Sequence, residues 1–380
     1  MKRIKSDRII VGEALLEGYV YFENGKIAQV TDKELPFDEE YDRTGYYVSP
    51  GFIDIHTHGG AGNEFFGSAE EVVGGCNFHL EHGTTSICPT VSAAPFEMMR
   101  ESVLQISKAK ESSELKSNLV GLHLEGPYFS VAQCGAQNTD FITPPIPEQY
   151  ESLVAEAGDI IARWSYAPEN DPDGTFCRFL KDHGIIAAAG HTNAEYSHMC
   201  VAAENGCNLV THLYSCTSTI TRHQGFRRLG VIESVFLMDD MYAEIIADGK
   251  HLPPELIRLI LKVKGSDRVI LCTDSLALAG TGITEGVTLN TPFIIEDGVC
   301  KLKDRSAFAG SIATSDVLVR VLVKEVGVPV AETVKMITKN PAELLGLNKG
   351  LLEEGKDADI VVFDDEIQVQ DIWVMGTKRA

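Results

Sequence analysis

Hydrophobic spacing changes character twice along the chain. Residues 1–48 mix apolar and polar positions in short strand-like runs, among them Arg8-Ile9-Ile10-Val11 and Gly18-Tyr19-Val20-Tyr21-Phe22. Glu23-Asn24-Gly25-Lys26 then precedes Ile27-Ala28-Gln29-Val30, and Asn-Gly between apolar runs predicts a hairpin because both residues tolerate positive φ. The tail, from Gly355-Lys356-Asp357-Ala358-Asp359 through Ile360-Val361-Val362-Phe363 to Ile372-Trp373-Val374, again reads as strand and turn. Between these ends, short apolar runs near 50–56, 84–91, 119–125, 160–166, 185–191, 208–213, 242–247 and 269–274 alternate with helical patterns such as Ala69 to His82 and Pro254 to Lys264. Eight βα units in order predict a closed (β/α)8 TIM-type barrel in the α/β class over 49–348. Segments 1–48 and 349–380 have no helical layer of their own, so they are expected to pair into one small β-sandwich.

Length supports this division. A (β/α)8 barrel takes about 250 residues, and the chain has 380, 44% of them hydrophobic. No apolar run approaches the ~20 residues of a membrane span, and MKRIKSDRIIVGEALLEG has no signal-peptide core, so a cytoplasmic protein without a membrane partner is expected. Nine cysteines (Cys76, Cys88, Cys134, Cys177, Cys200, Cys207, Cys216, Cys272, Cys300) are scattered singly, which fits reduced thiols better than a disulfide framework. Cys88 and Cys272 read as core filler, whereas Cys134 and Cys216 fall in loops expected at the active face. The net charge of −22 argues against nucleic acid as a partner. An anionic substrate would need a local basic site, and RHQGFRR, carrying Arg222, His223, Arg227 and Arg228, is the dense basic run available.

Chemistry concentrates at the strand ends. His56-Thr57-His58 closes the first barrel run, and in a strand i and i+2 point to one side, so both imidazoles address one ion. Glu125, His191, His212 and Asp274 close the third, fifth, sixth and eighth runs. A lone strand-end histidine is ordinarily a satisfied polar side chain. The recurrence at the carboxyl ends of five strands points instead to a hydrolytic metal centre on the active face of a barrel. A metal pair would acidify water and polarise a substrate carbonyl, Asp274 would shuttle the proton to the leaving group, and His251, just after the seventh run, would donate to the developing oxyanion. His and carboxylate ligands suit zinc first, and also iron, manganese or cobalt.

With PGFIDIHTHGG, GLHLEGPYFS, GHTNA, THLY, IADGKH, LCTDSLAL and AFAGS in this order, the chain resembles the N-acetylglucosamine-6-phosphate deacetylases of the amidohydrolase superfamily over essentially its whole length. The resemblance implies metal-dependent removal of the acetyl group from an N-acetyl amino-sugar 6-phosphate in amino-sugar metabolism. It implies a first ion on Glu125, His191 and His212, and a second on His56, His58 and Glu125 with Asp274 close by, because this chain keeps the His-x-His that some members lack. It places sugar contacts at Ala136 and Gln137, after the THLY strand, at His251, and at Phe308, Ala309 and Gly310. It also implies a homodimer whose basic loop reaches the neighbour's site.

One element departs from the family pattern. THLYNAM reads THLYSCT here, so Ser215 and Cys216 stand where an Asn-Ala pair helps to hold phosphate. His223 takes the spacing of the expected downstream arginine, between Arg222 and Arg227. Three readings therefore remain at this point: an N-acetylglucosamine-6-phosphate deacetylase; an amidohydrolase for another N-acyl substrate, such as N-acetylgalactosamine 6-phosphate or an unphosphorylated N-acetyl sugar; and a non-catalytic metal-bearing scaffold, for which an Asp274 base would have no use.

Overall fold

The computed structural model describes residues 1–288 and 291–380. Its central strands form from the buried aliphatic runs: β1 (Phe52–Thr57), β2 (Thr84–Ser92), β3 (Leu122–Glu125), β4 (Ile161–Tyr166), β5 (Ile186–Ala189), β6 (Leu209–Val210), β7 (Tyr242–Ile246) and β8 (Val269–Cys272). They pair in parallel in chain order. Side chains fill the inside and helices cover the outside, so nearly every residue of these strands is buried and the polar alternation of a half-exposed sheet disappears. The seam between first and last strands closes through Asp274 N–H to the His56 carbonyl and His58 N–H to the Ser275 carbonyl, each 2.8 Å. That closure aligns the ends of β1 and β8, and with them three of the expected ligands.

Helices follow local signals. Ala69–Glu81 begins at Ser68, whose hydroxyl accepts from Glu71 N–H while the Glu71 carboxylate accepts from Ser68 N–H, the reciprocal arrangement that satisfies two orphan donors. Pro254–Lys264 opens on prolines and stops at Gly265. No helix among the described residues is long and apolar enough to cross a membrane.

The chain ends share one eight-stranded mixed sheet. Its order is Thr377–Lys378, Val369–Val374, Ile360–Phe363, Tyr47–Pro50, Lys2–Val11, Ala14–Glu23, Lys26–Thr31, with Glu39–Asp42 also beside Lys2–Val11. Asn24 (φ 52°) and Gly25 (φ 77°) form the expected hairpin turn. Ile4, Val20, Phe22, Val48, Ile360, Val362 and Trp373 give this sheet a core of its own. A buried Lys349 ties it to the barrel floor, with Nζ 2.7 Å from Asp359 and 3.2 Å from the Ser86 hydroxyl of β2.

One expectation is adjusted. β5 and β6 stop at Ala189 and Val210 rather than running to 191 and 213, because His191 and His212 have φ of 44° and 28°, which no strand can continue. Past β8 the chain also forms a four-stranded antiparallel sheet of Glu285–Thr288, Thr291–Glu296, Val299–Leu302 and Phe308–Gly310; Leu289 and Asn290 lie outside the described residues.

Candidate metal centre and active site

All six expected ligands meet at the carboxyl end of the barrel. Glu125 sits in the middle: its Oε1 is 3.1 Å from His191 Nε2, 3.0 Å from His212 Nε2 and 3.4 Å from His56 Nε2, and its Oε2 is 3.5 Å from His58 Nε2. Asp274 Oδ1 lies 3.0 Å from His58 Nε2 and 3.3 Å from His56 Nε2. The donors form two overlapping groups, His56-His58-Glu125 and Glu125-His191-His212. Three of the six residues, His191, His212 and Asp274, have left-handed φ values of 44°, 28° and 46°. Such backbone turns the chain sharply just past the strand and aims the side chain across the barrel mouth, at a cost of about 1–3 kcal/mol each.

The other nitrogen of every imidazole is engaged. His191 Nδ1 donates to the Gln133 carbonyl (3.0 Å), His212 Nδ1 to the Ser215 carbonyl (3.1 Å) and His56 Nδ1 to Glu244 Oε1 (2.8 Å), while His58 Nδ1 meets the Ser92 hydroxyl at 3.1 Å. A carbonyl can only accept, so in neutral His191 and His212 the proton sits on Nδ1 and the Nε2 lone pair faces the cluster. Their two Nε2 atoms are 3.1 Å apart, close enough to require a cation or a proton between them. His56 Nε2 is buried and hydrogen-bonded to nothing. Imidazole and carboxylate donors with these tautomers fit a divalent metal centre.

Charge makes the same demand. Burial pushes the Glu125 carboxyl up, but His56 together with the imidazoles of His191 and His212 holds it well below the usual range. Burial likewise opposes ionisation of Asp274, and His56 and His58 reverse this and lower its pKa. For His56, burial lowers the pKa, yet Asp274, Glu125 and Glu244 raise it to about 10. Buried carboxylates around one imidazole thus call for positive charge.

Several supporting residues escaped the sequence reading. Glu244 on β7 holds His56 with one oxygen, which also accepts from His212 N–H at 3.2 Å, and Arg163 of β4 with the other. Both side chains are fully buried, and Arg163 further donates to the Ile55 carbonyl (3.2 Å) and the Thr211 hydroxyl (3.0 Å). Asp54 accepts from the Thr273 hydroxyl at 2.6 Å, bracing β1 against β8. The available signal was an ionisable residue inside an otherwise apolar strand, as in Tyr242-Ala243-Glu244-Ile245-Ile246.

The remaining expected residues divide. Gln137 Nε2 donates to Glu125 Oε2 (2.9 Å) and its Oε1 accepts from Ala93 N–H (3.1 Å), so its side chain braces the ligand; Ala136 is its exposed neighbour in the same loop. Ser215 contributes its carbonyl to His212. Cys216 (φ 50°) accepts from Thr192 N–H through its carbonyl, and its sulfur packs against Gly135, where a Cβ would come within 2.5 Å. His251 is paired with Asp248 (2.8 Å) rather than with any of the six ligands, and its ring stands edge-on to Phe308 at 5.0 Å. Ala309 and Gly310 lead into Ser311, whose N–H donates to the Asp274 carbonyl (3.2 Å) and whose carbonyl accepts from Leu276 N–H (2.9 Å). Arg222, His223 and Arg227 are not brought into this centre. They lie on an exposed two-stranded ribbon, Thr221–His223 with Phe226–Arg228, in which Arg222 faces Arg227.

Comparison with known proteins agrees with this geometry. Residues 47–379 match the amidohydrolase family. The chain is 32% identical to an N-acetylglucosamine-6-phosphate deacetylase of Bacillus subtilis (strain 168), covering 94% of this chain and 91% of the relative, and 30% identical to that of Homo sapiens, covering 97% and 93%. Among solved structures, the Pasteurella multocida N-acetylglucosamine-6-phosphate deacetylase superposes with a TM-score of 0.92 at 30% identity, over 100% of this chain and 99% of that one. A D267A mutant of the Mycobacterium smegmatis enzyme in complex with N-acetyl-D-glucosamine-6-phosphate superposes with a TM-score of 0.91 at 26% identity, over 99% and 98%. A barrel whose strand ends present this donor set, matched along its length by such relatives, belongs to the amidohydrolase family and, within it, to the group of N-acetylglucosamine-6-phosphate deacetylases.

Proposed function

We propose that this protein hydrolyses the acetyl group of N-acetyl-D-glucosamine 6-phosphate, yielding D-glucosamine 6-phosphate and acetate in amino-sugar metabolism. The observation that carries the proposal is the convergence of four Nε2 atoms and two carboxylates at one barrel mouth, in a chain similar over its length to deacetylases of that substrate. Glu125, His191 and His212 would hold one divalent ion and His56, His58 and Glu125 a second, with Asp274 alongside; when bound, the metal supplies a Lewis acid that polarises the amide carbonyl and acidifies water. Zinc suits this donor set, as do iron, manganese and cobalt.

The chain's own groups do the rest. Asp274, whose Oδ1 lies 3.0 Å from His58 Nε2 and 3.3 Å from His56 Nε2, takes a proton from the attacking water and delivers it to the amine nitrogen, which leaves poorly unless protonated. His251, oriented by Asp248, donates in its imidazolium form to the carbonyl oxygen as charge develops there. Gln137 holds Glu125 in place. The exposed Arg222-His223-Arg227 ribbon serves phosphate, and because it stands apart from its own centre we assign it to the site of a second copy in a homodimer. Nine free cysteines suit a reducing cytoplasm.

Acetate release from a panel of N-acetyl hexosamines with and without 6-phosphate, with metal content measured on the same preparation, tests this reading. Turnover of the 6-phosphate with two metals per chain is expected. Equal kcat/KM for phosphorylated and unphosphorylated sugars would move the assignment to another N-acyl substrate.

A further inference from the structure

Beside the metal-type cluster lies a cavity of about 310 Å3, with His58 and Ser92 in its lining. Most of the rest is apolar: Phe66, Leu276, Leu278, Ile283, Val287 and Phe293. We propose that this cavity receives the acyl side of the scissile amide, and that it admits N-acyl groups several carbons longer than acetyl. This rests on the deacetylase reading above and extends its substrate class.

Three observations fix the occupant. First, the centre meets the cavity at His58, which lines it. His58 and Asp274 are the most exposed of the six ligand side chains, at 12% and 15%, against 0–7% for His56, Glu125, His191 and His212. Second, the charge of the lining excludes the other half of the substrate. Besides His58, its ionisable residues are Glu64 and Glu285, with no lysine or arginine among the described residues. Two carboxylates repel a phosphate dianion, and apolar walls leave sugar hydroxyls without partners, which is unfavourable in a desolvated site. An amide held at the centre has only two sides, so the side that cannot carry the sugar phosphate carries the acyl chain. Third, the walls are built in place. Leu276 is tied by its N–H to the Ser311 carbonyl at 2.9 Å, and the Ala277 carbonyl accepts from Gly62 N–H at 2.7 Å. The Leu276–Leu278 segment that follows Asp274 therefore stands as a fixed apolar surface, while Ile283 and Val287, exposed at 47% and 67%, stand toward solvent.

Volume then decides the range. A pocket fitted to acetyl would reject each additional methylene by about 10–200-fold. A cavity of about 310 Å3 beside His58, lined mostly by apolar side chains, leaves room for several, and each methylene buried against them gains binding by roughly four-fold.

The experiment is a series of N-acyl glucosamine 6-phosphates, acetyl, propanoyl, butanoyl and hexanoyl, with the wild-type enzyme loaded with metal and the freed amine measured. The expected result is kcat/KM for butanoyl within about ten-fold of acetyl, with KM falling along the series. Ile283→Trp, which narrows the apolar space, should lower the hexanoyl-to-acetyl ratio of kcat/KM at least ten-fold. Hydrolysis of the acetyl compound with butanoyl more than a hundred-fold slower overturns the acyl-pocket proposal and leaves the deacetylase reading standing. No hydrolysis of the acetyl compound itself overturns the reading on which the proposal rests. The wild-type series decides the matter even if the tryptophan variant does not fold.

Discussion

Glu244→Gln isolates the buried device behind the metal centre. The carboxylate accepts on both sides: from His56 Nδ1 at 2.8 Å and His212 N–H at 3.2 Å on one oxygen, and from Arg163 on the other. Glutamine keeps the shape but offers only one acceptor, so its amide N–H2 must face either His56 and His212 or the guanidinium, donor against donor. Arg163 is left charged and fully buried, and breaking a buried ion pair from one side costs about 3–5 kcal/mol. The same change loosens the tautomer and orientation of His56, and loss of such a support lowers metal affinity about 10–100-fold, or roughly 1.4–2.7 kcal/mol. Urea unfolding and zinc competition against a chromophoric chelator, on one preparation, measure the two effects. The double variant Arg163→Met/Glu244→Met separates them: removing both charges should recover much of the stability, while metal affinity stays low because His56 still lacks its acceptor. Wild-type unfolding midpoint and wild-type zinc affinity in Glu244→Gln would refute the reasoning.

Three further outcomes are expected. Asp274→Asn should lower kcat by about 10²–10⁴-fold with substrate binding retained, and more than a tenth of wild-type kcat would assign the proton transfer elsewhere. Arg222→Ala or Arg227→Ala should raise KM for the 6-phosphate about ten-fold, the value of one charge-assisted hydrogen bond, and leave the unphosphorylated sugar unaffected; indifference of both substrates would detach the ribbon from phosphate binding. His79 is buried, with Nε2 2.8 Å from the Gly59 carbonyl, and burial lowers its pKa to about 4. Its folded pKa lies below the unfolded value, so the stability it contributes is complete above about pH 6.5 and is lost as pH falls toward 4. Between pH 7 and 4.5 the wild type should lose about 2 kcal/mol more unfolding free energy than His79→Asn, and identical pH slopes would refute this.

The barrel and its ligands could be read from the chain because each signal was local. An apolar run marks a strand, a His, Glu or Asp closing five of them marks the ends at the active face, and eight runs in order leave one right-handed parallel closure. What could not be read is what depends on pairing across the barrel. Arg163 and Glu244 are 81 positions apart, and nothing near either announces the other. His191 and His212 ended their strands early through left-handed backbone, which no side-chain pattern encodes for a non-glycine residue. The hydrogen bonds of the Gln137 amide to Glu125 and Ala93 likewise join separate elements, and its loop does not announce them. The basic run was visible as charge, whereas its standing on a separate ribbon is a matter of three-dimensional placement.

The pairing of Tyr47–Pro50 with Ile360–Phe363 has a consequence for biosynthesis. The first of these strands leaves the ribosome with its partner still about 310 residues from being made, a wait of roughly 15–60 s at ordinary elongation rates. Throughout that time an apolar strand edge stands open, next to the residues that will lead into His56. The metal centre also needs Asp274, near the far end of the barrel, so a partly synthesised chain carries imidazoles without their full complement of carboxylates. A nascent chain of this architecture therefore passes through a long interval in which it is inactive and has an unpaired edge, and depends on being shielded from other chains until its last hundred residues arrive.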